Sequence, residues 1–71
     1  MRATIRKTWN GKYEIVGIRN ENVSNDVTRY EMTYLHTFGG KFYKTLQNAI
    51  RAIKNKGFEY VETTPEQLYF V

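Results

Sequence analysis

The chain has 71 residues, and its 11 Lys and Arg against 7 Asp and Glu give a net charge of +4 at pH 7. A chain this short buries only about 60% of the surface of its unfolded state, which excludes a large cleft enzyme with a separate cofactor domain. It has no cysteine, which excludes disulfides, thiolate metal sites and a cysteine nucleophile. With no apolar stretch long enough for a signal peptide or a membrane span, we expect a cytoplasmic protein without a membrane partner.

The first predicted element is a β-hairpin. Asn10-Gly11 lies between two β-prone runs, residues 3–9 and 12–18. Asn-Gly accepts the two positive φ angles of a type I′ turn at low cost, so the pattern predicts two antiparallel strands joined by a two-residue turn. The polar residues 20–26 that follow are typical of a loop.

Residues 27–37 alternate between apolar and polar side chains, which predicts a strand with one face in solvent. The apolar side carries Tyr30, Met32 and Tyr34, with Phe38 beyond them. The other side carries Arg29, Glu31 and Thr33 and is expected to be wet. Gly39-Gly40 then permits a tight reversal, and residues 41–44 are consistent with a short fourth strand.

A helix is predicted to begin after Thr45, whose hydroxyl can accept a hydrogen bond from a free backbone N–H. The apolar residues at i, i+3, i+4 and i+7 form one stripe, namely Leu46, Ala49, Ile50 and Ile53. Lys54 and Lys56 suit the negative end of the helix dipole, and Gly57 suits the left-handed position that ends a helix.

The C-terminal residues predict a further strand and a short turn. Residues 58–62 are rich in β-prone side chains. Thr64-Pro65-Glu66-Gln67 has the form of a capping box with proline at the first helical position, and it leads into residues 68–71.

The order β-β-β-(β)-α-β predicts a single α+β domain over residues 1–71. We expect an antiparallel β-meander of three to four strands packed on one α-helix, with a short C-terminal strand. The core is small and no disulfide reinforces it, so a homodimer that buries more surface is consistent with the sequence.

Basic residues are segregated along the chain. Residues 1–13 carry four cations and residues 32–58 carry five, and neither stretch contains an acid. A basic hairpin beside a helix face with Arg51 and Lys54, with Lys44 just before the helix, is typical of a surface that neutralises phosphates. The alternative is a solvated helix whose cations only complement its dipole.

The 11 aromatic residues exceed what one short helix can cover. Part of them is therefore expected at the surface, with Trp9 and Tyr13 as an exposed pair beside Lys7 and Lys12. Exposed aromatics on a sheet stack on bases or anchor a protein interface, whereas the others line the core.

Residues 56–61, Lys-Gly-Phe-Glu-Tyr-Val, resemble the RNP1 motif of RNA-recognition domains. That resemblance implies that Phe58 and Tyr60 stack on bases. Two positions depart from the motif, since Glu59 stands where Gly or Ala is expected and Thr63 where an aromatic belongs. The alternative interpretation is that Lys56-Gly57 simply ends the helix.

A second resemblance covers residues 3–54. A three-stranded meander followed by Phe-Tyr-Lys-Thr-Leu-Gln-Asn-Ala-Ile at residues 42–50 resembles the arm-type DNA-binding domains of tyrosine integrases and the ethylene-response-factor domains of plants. In these families the sheet enters the major groove. The resemblance implies DNA contacts from Arg6, Lys7, Trp9, Lys12, Tyr13 and Arg29, in a small free-standing protein of a phage or mobile element.

Catalytic chemistry is not indicated. His36 is the only imidazole and has no carboxylate near it in sequence, and the only serine, Ser24, lies without a partner in view. We therefore expect neither an enzyme nor a cofactor or metal.

The favoured hypothesis is a small regulatory module that binds nucleic acid, DNA rather than RNA, through the first hairpin and the sheet face. Its candidate site residues are Arg6, Lys7, Trp9, Lys12, Tyr13, Arg29, Lys44, Arg51 and Lys54. The alternative hypothesis is a phage-type inhibitor that binds a host enzyme or defence complex, as anti-CRISPR proteins do.

Overall fold

The computed structural model describes residues 1–70. Within them the strands are β1 (Arg2–Lys7), β2 (Tyr13–Ser24), β3 (Val27–Thr33), β4 (Phe42–Tyr43), β5 (Glu59–Tyr60) and β6 (Leu68–Tyr69). The helix is α1 (Leu46–Asn55), and short 3-10 turns occupy His36–Phe38 and Pro65–Gln67. The predicted α+β class is confirmed.

The strands form one mixed sheet in the order β5-β1-β2-β3-β6, with β4 also paired to β2. The meander β1-β2-β3 is antiparallel, as expected. However, β5 pairs in parallel with β1, and β6 pairs in parallel with β3. The predicted antiparallel meander is therefore confirmed for β1-β2-β3, whereas the sheet as a whole is mixed rather than antiparallel. The physical reason is that each of these strands follows a crossover, and a crossover returns the chain in the same direction.

The first crossover is α1, which covers one face of the sheet. Thr45 caps it as predicted, since its Oγ1 accepts a hydrogen bond from the backbone N–H of Asn48 at 3.1 Å. Gly57 ends it with φ +78°, which confirms that Lys56-Gly57 belongs to a helix terminus. Of the predicted stripe, Ala49 and Ile53 are fully buried, whereas Ile50 is half-buried and Leu46 is exposed.

The second crossover, residues 61–67, covers the opposite face. Side chains alternate along a strand, so Thr4 points away from Ala3 and Ile5, which pack in the same core as α1. Thr4 is nevertheless buried, because its hydroxyl is hydrogen-bonded to that of Thr63 at 2.7 Å. The centre of the sheet is thus covered on both faces.

The predicted loop at residues 20–26 is instead part of a second hairpin. β2 continues to Ser24, and Asn25-Asp26 forms a tight turn in which φ is +51° and +63°. The polar residues here have low strand propensity, and pairing with β3 overrides it. We call this part of the hairpin, residues 19–29, the arm. Every residue from 19 to 27 is exposed.

The third predicted strand is shorter than expected, and the face that was expected in solvent is partly buried. β3 ends at Thr33, and Tyr34, assigned to the apolar side, is exposed. Glu31 was expected in solvent but is buried. Its carboxylate accepts a hydrogen bond from Asn20 at 3.2 Å and lies 3.5 Å from the guanidinium of Arg19, which follows from a β-bulge at that point of β2.

The packing of α1 generates a stability prediction. Ile53→Ala removes a fully buried side chain, and we expect the free energy of unfolding to fall by about 2–5 kcal/mol in a urea titration followed by circular dichroism. Leu46→Ala, at the exposed start of the same helix, is the matched control and should cost about 1 kcal/mol or less. Equal losses in the two variants would contradict the observed packing.

Candidate nucleic-acid interface

The first hairpin is closed by a three-residue loop rather than the predicted two-residue turn. The backbone N–H of Thr8 donates to the carbonyl of Lys12 at 2.8 Å, and that of Gly11 donates to the carbonyl of Thr8 at 3.1 Å. Only Gly11 has a positive φ, +80°, so the expected pair of left-handed residues is absent from this turn. Such a loop is a common hairpin connection whose last residue is a left-handed glycine.

The loop length decides which hairpin residues share a face. Lys7 lies opposite Tyr13, on the face that α1 covers, and Arg6 lies opposite Glu14, on the other face. The cations of the hairpin are therefore divided between the two faces. Tyr13 is half-buried against the core, so the expected exposed pair reduces to Trp9 alone, which is 97% exposed.

Three lysines lie at the loop end of the first hairpin and beside it on β4, and we call them the lysine cluster: Lys7, Lys12 and Lys44. β2 has β1 on one side and β4 on the other, with Tyr13 opposite both Lys7 and Tyr43. Lys12 precedes Tyr13 and Lys44 follows Tyr43, so both lie at this end of the sheet. Because side chains alternate along a strand, they point to the face of Glu14, away from α1. All three side chains are exposed.

The outer face of α1 adds two further cations. Arg51 and Lys54 are exposed and line a shallow depression of about 480 Å³ together with Gln47, Ile50 and Asn55. The first turn of α1 contains no acid, and none occurs anywhere in residues 32–58. The charged residues on the exposed surface of α1 are therefore all cations.

Ion pairs within residues 1–70 are made by arginines alone. Arg2 pairs with Glu21 at 2.8 Å, Arg6 with Glu14 at 2.7 Å and Arg19 with Glu31 at 3.5 Å. The hydrogen bond to Glu21 raises the pKa of Arg2 above its ordinary value. In the part of the chain that the structure describes, no lysine is neutralised by a carboxylate in this way, so the lysine cluster keeps its charge available.

The face of the hairpin that points away from α1 carries an open recess of about 470 Å³, which we call the aromatic recess. Its lining residues are Arg6, Lys7, Thr8, Trp9, Asn10, Glu14 and Phe42. Phe42 pairs with Glu14 in the sheet and is 49% exposed. Phe70 stands beside the recess, 56% exposed, with the Arg6 guanidinium 5.2 Å from its ring centroid.

Sequence reasoning missed Phe42 and Phe70 as candidate site residues. The excess of aromatics over what the core can hold was the signal that could have found them. This excess does not indicate which rings lie close together, because the positions of Phe42 and Phe70 depend on the pairing of β4 and on the second crossover.

The remaining sequence candidates lie elsewhere. Arg29 is opposite Asn22 on the arm, nine residues along β2 from Tyr13, or about 30 Å at roughly 3.3 Å per residue. The structure therefore does not bring Arg29 to the other candidates. Of the RNP1-like residues, Phe58 packs edge-on against Phe38 at 5.7 Å, and Tyr60 is half-buried, where burial raises its pKa.

Other kinds of site are not built by the described residues. Residues 1–70 contain no group of three His, Cys, Asp or Glu side chains placed to hold a metal ion. The rings of His36 and Tyr34 are perpendicular, with their centroids 4.8 Å apart. α1 is too short and too polar to span a bilayer, and these residues contain no other α-helix.

No family model matches the chain. No curated protein and no solved structure shows significant similarity to it either. The candidate binding features of the molecule are thus the lysine cluster, the cations of α1 and the aromatic recess.

The exposure of Trp9 generates a prediction about its role in folding. Trp9→Ala should change the free energy of unfolding by less than about 0.5 kcal/mol, because the ring has almost no contacts to lose. Acrylamide should quench the fluorescence of this single tryptophan as efficiently in the native protein as in urea. A large loss of stability, or protection from quenching, would show that the ring is packed.

Proposed function

We propose that this protein is a non-catalytic module that binds nucleic acid, DNA in preference to RNA. The binding surface consists of the lysine cluster and the cations of α1. We call these five residues the basic surface: Lys7, Lys12, Lys44, Arg51 and Lys54. The observation that supports the proposal is that, within the described residues, none of these side chains forms an ion pair, whereas Arg2, Arg6 and Arg19 of the sheet do.

The chemistry of the basic surface fits phosphate groups. Each cation that neutralises a phosphate releases condensed counterions, which provides affinity without base contacts and makes binding weaken with salt. Five contacts correspond to a slope of about −4.5 in a plot of log affinity against log salt for duplex DNA. The longest dimension of the molecule, 34 Å, matches the rise of about ten base pairs.

The salt dependence of DNA binding tests the proposal. By fluorescence anisotropy, Lys12→Gln and Lys44→Gln should each lower the magnitude of the salt slope by about 1 and weaken binding at low salt. Arg29→Gln is the matched control, because it removes one cation from the arm, far from the basic surface. We expect that control to leave the slope unchanged.

Two results would contradict the proposal. The first is an absence of binding to duplex and single-stranded DNA at low salt. The second is an equal effect of Arg29→Gln and Lys44→Gln, which would mean that net charge alone attracts DNA.

A protein-binding role is the second candidate, and the arm favours it. Val23 and Val27 are 66% and 52% exposed near its tip. β1 pairs with β2 only at residues 13–17, and β6 pairs with β3 only at residues 30–31, so both outer edges of the arm lack a strand partner within the described residues. Unpaired edges with apolar side chains are templates for strand addition by another chain. An inhibitor of a host enzyme or defence complex would use such an arm.

A paired substitution tests this second candidate. Val23→Thr with Val27→Thr keeps β-branched residues in the strands while removing their apolar ends. A host protein captured by the tagged wild-type chain should be lost with this variant and retained with Lys12→Gln. Capture that is insensitive to the arm substitution would rule out the arm as the docking element.

A further inference from the structure

The aromatic recess differs from the basic surface because its chemistry is apolar and directional. Trp9 is almost fully exposed and Phe42 is half-exposed, so the folded chain leaves two large rings partly in water. These rings are not needed to close the core, which is formed by other residues. Aromatic rings held open around a recess are suited to stacking on another flat ring.

The polar atoms of the recess are held in place. The Arg6 Nη2 donates to Glu14 Oε1 at 2.7 Å, and the same guanidinium lies over the Phe70 ring at 5.2 Å. The other carboxylate oxygen of Glu14 has no hydrogen-bond donor among the described residues. The recess therefore offers one acceptor from Glu14 beside remaining N–H donors from Arg6.

This pattern complements the edge of a nucleobase that carries an exocyclic amino group. Cytosine presents such an amino group, which a carboxylate accepts, next to acceptors that a guanidinium can reach. Thymine has the same size but presents a carbonyl oxygen where cytosine has its amino group, so it would face Glu14 with an acceptor. For a base seated with this group at Glu14, the Arg6–Glu14 pair thus favours cytosine over thymine.

The aromatic recess adjoins the basic surface, because Lys7 lines the recess and is also a residue of the basic surface. A strand whose phosphates contact the lysine cluster can therefore pass around the hairpin end and place a base against Trp9 and Phe42. In a duplex that base is stacked and its pairing edge is occupied, so only an unpaired base can enter.

We propose that the aromatic recess binds one unpaired, amino-bearing base, which makes single-stranded DNA the preferred ligand. This inference rests on the proposed nucleic-acid binding. Trp9 and Phe42 stack on the base, Glu14 accepts from its amino group, and Arg6 positions Glu14. The basic surface holds the flanking phosphates.

Fluorescence anisotropy with labelled single strands of deoxycytidine and of thymidine, of equal length, and with a duplex tests the inference. The deoxycytidine strand should bind more tightly than the thymidine strand and the duplex. Trp9→Leu and Phe42→Leu should each weaken its binding about tenfold while leaving the salt slope unchanged, because a stacking ring is lost and no charge is removed. Tyr34→Leu, an exposed ring outside the recess, is the matched control and should have no effect.

Two further readouts bear on the recess itself. Saturation with the deoxycytidine strand should quench Trp9 fluorescence over the concentration range in which anisotropy rises. Glu14→Gln should abolish the difference between deoxycytidine and thymidine strands, because an amide can both accept from an amino group and donate to a carbonyl.

The outcomes separate the two proposals. Equal binding of duplex and single strands, with a salt slope that depends on Lys12 and Lys44 but no effect of Trp9→Leu, would overturn the recess inference and support the phosphate-binding function. No binding of any of these DNAs would overturn the proposed function. Loss of a captured host protein on Trp9→Leu, with DNA binding unchanged, would assign the recess to a protein partner and overturn the inference.

Discussion

The rest of the structure depends on β1 being buried on both faces. Ala3 and Thr4 are neighbours that point in opposite directions, and both are almost completely inaccessible. One layer cannot achieve this, so α1 covers the face of Ala3 and residues 61–67 cover the face of Thr4. In a chain of 71 residues, the helix and most of the segment that follows it are therefore needed to cover β1.

The surfaces that remain open follow from that constraint. Neither crossover covers the tip of the first hairpin or the far half of the second, so Trp9 and the valines of the arm stay in solvent. Charge is divided in the same way. Arg2, Arg6 and Arg19 pair with acids of the sheet, while the lysines of the hairpin end and the helix layer have no such partners among residues 1–70.

Features that depend on a few neighbouring residues could be predicted from the sequence. The N-cap at Thr45, the left-handed Gly57 and the hydrogen bond from the Thr64 N–H to the Gln67 side chain are all local. Features that depend on distant pairing could not. The parallel directions of β5 and β6 follow from crossovers, and the polar strand residues of the arm are held by β3 rather than by their own propensity.

In the candidate site too, local features could be predicted and pairing could not. The loop of the first hairpin shows why. A two-residue turn at Asn10-Gly11 would place Lys7 opposite Glu14, whereas the observed three-residue loop places Arg6 there. That single residue of register means that Glu14 neutralises an arginine and leaves the lysine unpaired. It also sets the Arg6–Glu14 pair beside Phe42 rather than under α1. The unpaired charge of Lys7 and the Arg6–Glu14 pair of the aromatic recess are therefore two consequences of one turn.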